Sequence, residues 1–312
     1  MSWKSHLRGD LLLLLTALIW GTAFVAQKVG MDHMGPFMYT GIRFALGALV
    51  LTPLIFYFGG LTPPVTAHRK GPSLLLAGLI SGGILFVASI LQQVGIIYTT
   101  AGKAGFITGL YVVIVPLLGC LWGFRPGPGS GVGALLAVTG LYLLTITDGL
   151  HINLGDSLVL GCAFMYALHV IVIGWLAPRM DVLRLAAMQF WVCALLSLLV
   201  GLVLEELTWS MIKGAAVPIL YGGALSVGVA FTLQVVAQKR APPTHAAVIL
   251  SLETVFAVLA GVIILGEVLS PRGWTGCALM LAGMLAAQLD AVFTGGNRLL
   301  IRLRMFFRKG GG

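Results

Sequence analysis

Ten apolar stretches follow one another along the chain, separated by short polar breaks. Each is about 20 residues long, enough to span a bilayer core as a helix. They fall near residues 11–29, 37–58, 73–97, 104–122, 131–147, 156–175, 184–204, 215–237, 246–265 and 273–292. The runs are continuous and do not alternate at every second residue, which excludes the strands of a membrane barrel. The breaks carry turn chemistry: Gly59-Gly60 with Pro63-Pro64, Arg125-Pro126-Gly127-Pro128-Gly129, Pro242-Pro243 and Ser270-Pro271. The pattern predicts an all-α integral membrane protein of ten transmembrane helices.

The pattern also repeats. Shifted by 146 positions, Gly9-Asp10 falls on Gly155-Asp156, Trp20 on Tyr166 and Arg43-Phe44 on Gln189-Phe190. Shifted by 142, Leu91-Gln92 falls on Leu233-Gln234, Lys103 on His245, Tyr111 on Glu253 and Gly119 on Gly261. At 143, the stretch from Gly133 to Gly140 falls on Gly276 to Gly283. The expected organisation is a first five-helix repeat over 10–148, a second over 155–292 and a basic tail over 293–312. An odd number of spans per repeat inverts the second copy. Inverted repeats suit secondary transport, because rocking one half against the other exposes a mid-membrane site to each side in turn.

Hydrophobic residues make up 59% of the 312 and charged residues 9%, against about 25% charged in soluble domains. Lipid must therefore solvate most of the surface. The net charge of +9 does not indicate a nucleic-acid partner, because the charges sort by side. With both termini in the cytoplasm, that side holds Lys4, Arg8, Arg69, Lys70, Arg125, Arg179, Arg184, Lys239, Arg240, Arg298, Arg302, Arg304, Arg308 and Lys309. The opposite side holds Lys28, Lys103, Lys213 and Arg272. Fourteen against four orients the chain by the positive-inside rule. The expected location is the cell (inner) membrane, multi-pass, with both ends cytoplasmic. The tail interleaves its arginines with Leu299-Leu300-Ile301 and Met305-Phe306-Phe307, which suits either an amphipathic helix on anionic lipid or a solvated end. The amino terminus, basic and then Leu11 to Leu15, imitates a signal peptide. Its counterpart is a plain internal span beginning at Asp156, so 11–29 is expected to stay as the first helix. Cys120, Cys162, Cys193 and Cys277 lie inside apolar runs without CxxC spacing and read as small buried hydrophobes.

Against this background the polar residues inside spans carry the chemistry, since a charge at the bilayer centre costs about 2.5–3.5 kcal/mol. Arg43 lies about seven residues into helix 2 from its outer end, ~10 Å deep at 1.5 Å per residue. Either it snorkels outward, or its guanidinium faces a cavity and holds an anionic group. Its counterpart Gln189 is polar at the same depth. Glu253 is the only acid well inside a span, and Tyr111 is its counterpart. It pairs with a donor such as Arg43, exchanges a proton or cation with the two sides, or touches substrate.

Gln92 and Gln93 in helix 3 mirror Gln234 in helix 8, with Gln238 one turn on. Thr16, Trp20, Ala23 and Gln27 share one helical face, as do Cys162, Tyr166 and His169. Faces that combine aromatic and hydrogen-bonding groups suit either a pocket for a small organic molecule or interhelical packing. Matched placement in both repeats favours a shared substrate cavity of Trp20, Arg43, Gln92, Tyr111, Tyr166, His169, Gln189 and Gln234, with Glu253 as the ion-coupling group. Small residues at Gly78 and Gly82, at Gly105 and Gly109, and at Ala282 and Ala286 mark close helix contacts.

Catalytic motifs are absent from the sequence. There is no HExxH, no GxSxG and no complete GxxxxGK[ST], since Ala101-Gly102-Lys103-Ala104 lacks the leading glycine and the hydroxyl. The histidines, His6, His33, His68, His151, His169 and His245, have no ligand spacing. No cofactor, metal or enzymatic activity is expected. The rival readings are a membrane-embedded enzyme, which needs a polar cluster near one interface, and a passive channel, which needs a ring of like charges or a filter. The sequence carries neither pattern.

The chain resembles the EamA-type members of the drug/metabolite transporter superfamily over residues 10–290. The resemblance rests on Trp20-Gly21-Thr22-Ala23-Phe24, Arg43-Phe44 and Tyr98-Thr99-Thr100-Ala101-Gly102-Lys103-Ala104 in the first half. In the second half it rests on Gln238-Lys239-Arg240-Ala241, Ser251-Leu252-Glu253, Leu265-Gly266-Glu267 and Gly276 with Gly283. The chain departs from the family pattern at Gly123-Phe124-Arg125, where a Gly-Glu pair is usual, and at Thr254, where proline commonly follows the glutamate. The resemblance implies a central cavity lined mainly by helices 1–4 and 6–9. Helices 5 and 10 would be peripheral, with a homodimer contact as one use of that position. It also implies export or exchange of a small metabolite, often an amino acid or related compound, by a protein whose partners are its substrate and the bilayer.

Overall fold

The computed structural model describes residues 3–58, 72–119, 127–145, 153–176, 179–238 and 249–293. These residues are helical, and no strand occurs among them. The first half contains α1 (Trp3–Gly30), α2 (Pro36–Phe58), α3 (Leu74–Tyr98), α4 (Ala101–Gly109), α5 (Tyr111–Gly119) and α6 (Pro128–Thr145). The second contains α7 (Leu154–Leu176), α8 (Val182–Leu204), the short α9 (Trp209–Gly214) and α10 (Ala216–Ile219), a π-helix (Leu220–Ala230), α11 (Phe231–Gln238), α12 (Leu252–Leu265) and α13 (Pro271–Phe293). Eight segments are long and apolar enough to cross a membrane, counting α4 with α5 as one and α10 through Gln234 as another. The shorter α12 has 14 residues, and α13 is a further helix of 23. Phe56, Leu135, Val203 and Ile263 stand on the outside of the bundle. Large apolar side chains spread over the surface in this way suit lipid and not water.

Packing follows the small residues. Helix α1 lies on α12, on the π-helix and on α11; α3 lies on α7 and α8; α2 lies on α8 and the π-helix; α4 lies on α12 and α7; and α6 lies on α13. Gly78 and Gly82 let α3 approach Met188 and Val192 of α8, and Gly105 and Gly109 bring α4 against Ala257 and Thr254. The α6–α13 seam is backbone on backbone. A Cβ on Gly133 would sit 2.6 Å from the Gly283 carbonyl oxygen, and one on Gly140 would sit 2.5 Å from that of Gly276. The expected Ala282–Ala286 face is not the one used. Ala282 is exposed, and the seam runs through Gly276, Gly283 and Ala287, because only glycine leaves room for the facing carbonyls. Gly283→Leu should therefore lower the melting temperature of the purified protein, since overpacking costs about 1–3 kcal/mol. Gly131→Leu, where nothing lies within 4 Å of a built Cβ, should leave it nearly unchanged.

Several elements differ from the helices expected: the first begins at Trp3, earlier than 11, and the fourth and eighth differ for reasons the structure shows. The fourth begins at Ala101, earlier than 104, because the Thr100 hydroxyl accepts from Lys103 N–H and the Glu267 carboxylate accepts from the N–H groups of Ala101 and Gly102. These acceptors satisfy donors that a helix start otherwise leaves orphaned. The eighth contains the π-helix, which an apolar run cannot distinguish from α. Gly222 and Gly223 there are pressed against Arg43 and Leu46 of α2, where a Cβ would clash. The basic tail, Cys120, His245, Arg69, Lys70, Arg125, Lys239 and Arg240 lie outside the described residues, as do the side chains of Lys4 and Arg8.

Candidate functional site

Two helices are interrupted at positions that the repeat relates. Helix α4 ends at Gly109 and α5 starts at Tyr111, with Leu110 between them donating its N–H to the Ile107 carbonyl at 3.2 Å. In the second half the interruption is at Ser251, just before α12. There Thr254 donates to the Ser251 carbonyl twice, from its N–H at 3.3 Å and its hydroxyl at 2.9 Å. Tyr111 and Glu253 stand directly after the two breaks. Both face one cavity of about 510 Å³, together with Gln234, Ser251, Thr254 and Gln288. Broken helices at mid-membrane depth are where transporters place polar backbone and binding side chains.

The cavity brings together three of the sequence-predicted residues, Tyr111, Gln234 and Glu253. Among the described residues Glu253 forms no ion pair, so pairing with Arg43 is not seen. Arg43 is buried at 4% exposure and does not snorkel. Its guanidinium lies over the rings of Tyr39 and Phe44, 5.6 and 5.1 Å from their centroids, and its Nε has no hydrogen-bond partner. Tyr166 stands within electrostatic reach of both Arg43 and Tyr111, and Tyr111 within reach of Glu253. Electrostatic neighbours thus link Arg43 to Tyr166, Tyr166 to Tyr111 and Tyr111 to Glu253, residues drawn from both halves.

The remaining candidates are engaged in helix-to-helix hydrogen bonds. Trp20 Nε1 donates to the Ser226 carbonyl of the π-helix at 3.1 Å. Gln92 donates to the Thr108 hydroxyl at 3.1 Å. His169 and Gln189 bond each other at 2.8 Å. The structure also adds residues that the sequence reading passed over. Gln288 of α13 donates to the Ser251 hydroxyl at 2.5 Å and lines the cavity wall. Its signal in the sequence is a lone amide in an apolar run, which was not singled out. Cys162, Cys193 and Cys277 are buried free thiols.

Long apolar helices around a cavity that holds a few polar side chains are the construction of a multi-pass membrane protein. The model of the EamA-like transporter family matches residues 7–146 and again 153–287, and the chain belongs to that family. It is 33% identical over 287 residues to an uncharacterized transporter of Archaeoglobus fulgidus, covering 91% of this chain and 87% of that protein. It is 28% identical over 289 residues to a probable amino-acid metabolite efflux pump of Salmonella typhimurium, covering 88% and 92%. A crystal structure at 20% identity aligns with a TM-score of 0.63 over 90% of this chain and 97% of its own, a likeness of fold.

Proposed function

We propose that the protein is a secondary transporter that exports or exchanges a small zwitterionic metabolite, an amino acid or related compound, by alternating access. The observation that carries this reading is that two ionisable groups of opposite sign, Arg43 and Glu253, form no ion pair among the described residues, while Tyr166 is an electrostatic neighbour of Arg43 and Tyr111 of Glu253. An uncompensated charge in a low-dielectric interior costs several kcal/mol. Arg43 then suits a substrate carboxylate, and Glu253 suits either a substrate ammonium or a proton. Competition of the two for one carboxylate would couple export to proton entry. The relative named as an amino-acid metabolite efflux pump supports the substrate class.

Ten membrane helices in two inverted halves, with both termini cytoplasmic, complete the proposal. Its support is the exchange symmetry of the packing. The contact of α3 with α7 answers that of α1 with α11 and the π-helix, and the contact of α3 with α8 answers that of α2 with the π-helix. Substrate analogues test the reading. In proteoliposomes an unlabelled amino acid should compete with labelled amino-acid uptake, whereas its amide and its deaminated acid should compete at least about tenfold less well, one charge-assisted bond each. Equal competition by all three would contradict the two-pole site.

A further inference from the structure

One end of the bundle is closed by charged groups that converge on the α3–α4 turn. From α1, Lys28 Nζ donates to the carbonyls of Ile96, Ile97 and Thr99 at 2.7, 3.0 and 2.8 Å. From the first turn of α7, Asp156 accepts from the Thr99 hydroxyl at 2.5 Å and pairs with Lys103 Nζ at 3.4 Å. From beyond α12, Glu267 accepts from Ala101 and Gly102 N–H at 2.6 and 3.0 Å. Gly266, in the left-handed region at φ 66°, turns the chain so that the Glu267 side chain can reach. Behind these bonds, α4 and α1 meet α12 through Gly102, Gly105 and Gly21. The cavity at Tyr111 begins ten residues along the α4–α5 segment, ~15 Å away at 1.5 Å per residue.

The repeat-related positions do not reproduce this chemistry. By sequence, Lys28 corresponds to Gly174, Thr99 to Ala241, Lys103 to His245 and Glu267 to Phe124, and only Asp156 keeps an acid, Asp10. Two inverted halves of equal chemistry would close their two ends equally well. By sequence, the side chains that fasten the α3–α4 end are not repeated as a set at the related positions. We propose that Lys28, Asp156 and Glu267 form a latch that holds the α3–α4 end shut, making the state closed at that end the resting state of the transporter. The latch bonds three separate elements to a single turn, so opening that end breaks them together. Substitution of one member shifts the balance of states without touching the cavity. The inference rests on the alternating-access reading.

The test uses the full chain in nanodiscs with Cys120, Cys162, Cys193 and Cys277 replaced by serine. Val258→Cys reports on the latched end, where Val258 is buried against Gly102. Val115→Cys reports on the cavity. Rates of reaction with a polar maleimide are measured with and without Asp156→Asn or Glu267→Gln. Release of the latch raises the Val258→Cys rate about tenfold, the shift for losing one charge-assisted hydrogen bond, and lowers the Val115→Cys rate. Unchanged rates at both reporters overturn the proposal. So does a rise at both, which is a loosened bundle and not a shifted balance. The readout needs no substrate, so a failed latch and a failed transport assignment are told apart by whether labelling or solute flux is the measurement that disagrees.

Discussion

Glu253→Gln protein in proteoliposomes should lose pH-gradient-driven accumulation of substrate while continuing to exchange substrate across the membrane. Glu253 stands on the cavity wall just after a helix interruption and has no ion-pair partner among the described residues. Glutamine preserves the volume and can still accept a hydrogen bond, but it can neither bind nor release a proton. Exchange should persist with KM raised about tenfold, as expected for turning a charge-assisted hydrogen bond into a neutral one. Loss of exchange together with the pH response would assign Glu253 to folding, because removing one member of a buried polar set leaves the rest uncompensated. Unchanged pH-driven accumulation would exclude the coupling role.

Arg43→Ala should reduce transport by roughly two orders of magnitude, the effect of removing a charged partner worth about 3 kcal/mol, with near-normal expression. Arg43→Lys should recover only part of it, because a point charge cannot reproduce the planar two-pronged fork. Measuring initial rates on equal amounts of reconstituted protein separates this from a stability effect. The competing account is packing. The guanidinium lies over Tyr39 and Phe44, and such contacts are worth about 0.5–2 kcal/mol. Full transport by the alanine variant with a lowered melting temperature would favour packing over substrate binding.

Much of this was legible in the sequence for physical reasons. A helix that crosses lipid is written as an apolar run, so the expected stretches lie within a few residues of helices such as Pro36–Phe58, Leu74–Tyr98 and Val182–Leu204. A group that cannot be solvated by lipid stands out, which is why Glu253, Tyr111 and Gln234 could be named before their common cavity was seen. Hydrogen bonding was harder to assign. Gln189 and His169 satisfy each other, and Trp20 reaches a π-helix carbonyl. Nothing in their spacing distinguishes such fasteners from ligands. The interruptions at Leu110 and Ser251 were also illegible, because neither carries a proline, and the family's usual proline is here Thr254. The latch escaped notice since Lys28, Asp156 and Glu267 lie far apart in the chain and each reads alone as an ordinary helix-end charge.

Solute counterflow in proteoliposomes containing only the purified protein tests the central claim most directly. Vesicles preloaded with an unlabelled amino acid are diluted into a trace of the same labelled compound, with and without an imposed pH gradient. A carrier working by alternating access predicts transient accumulation of label above equilibrium, saturation with external concentration and further accumulation when the gradient is imposed. Flux that rises linearly with concentration, shows no overshoot and ignores the preload would contradict the account and identify a passive pore.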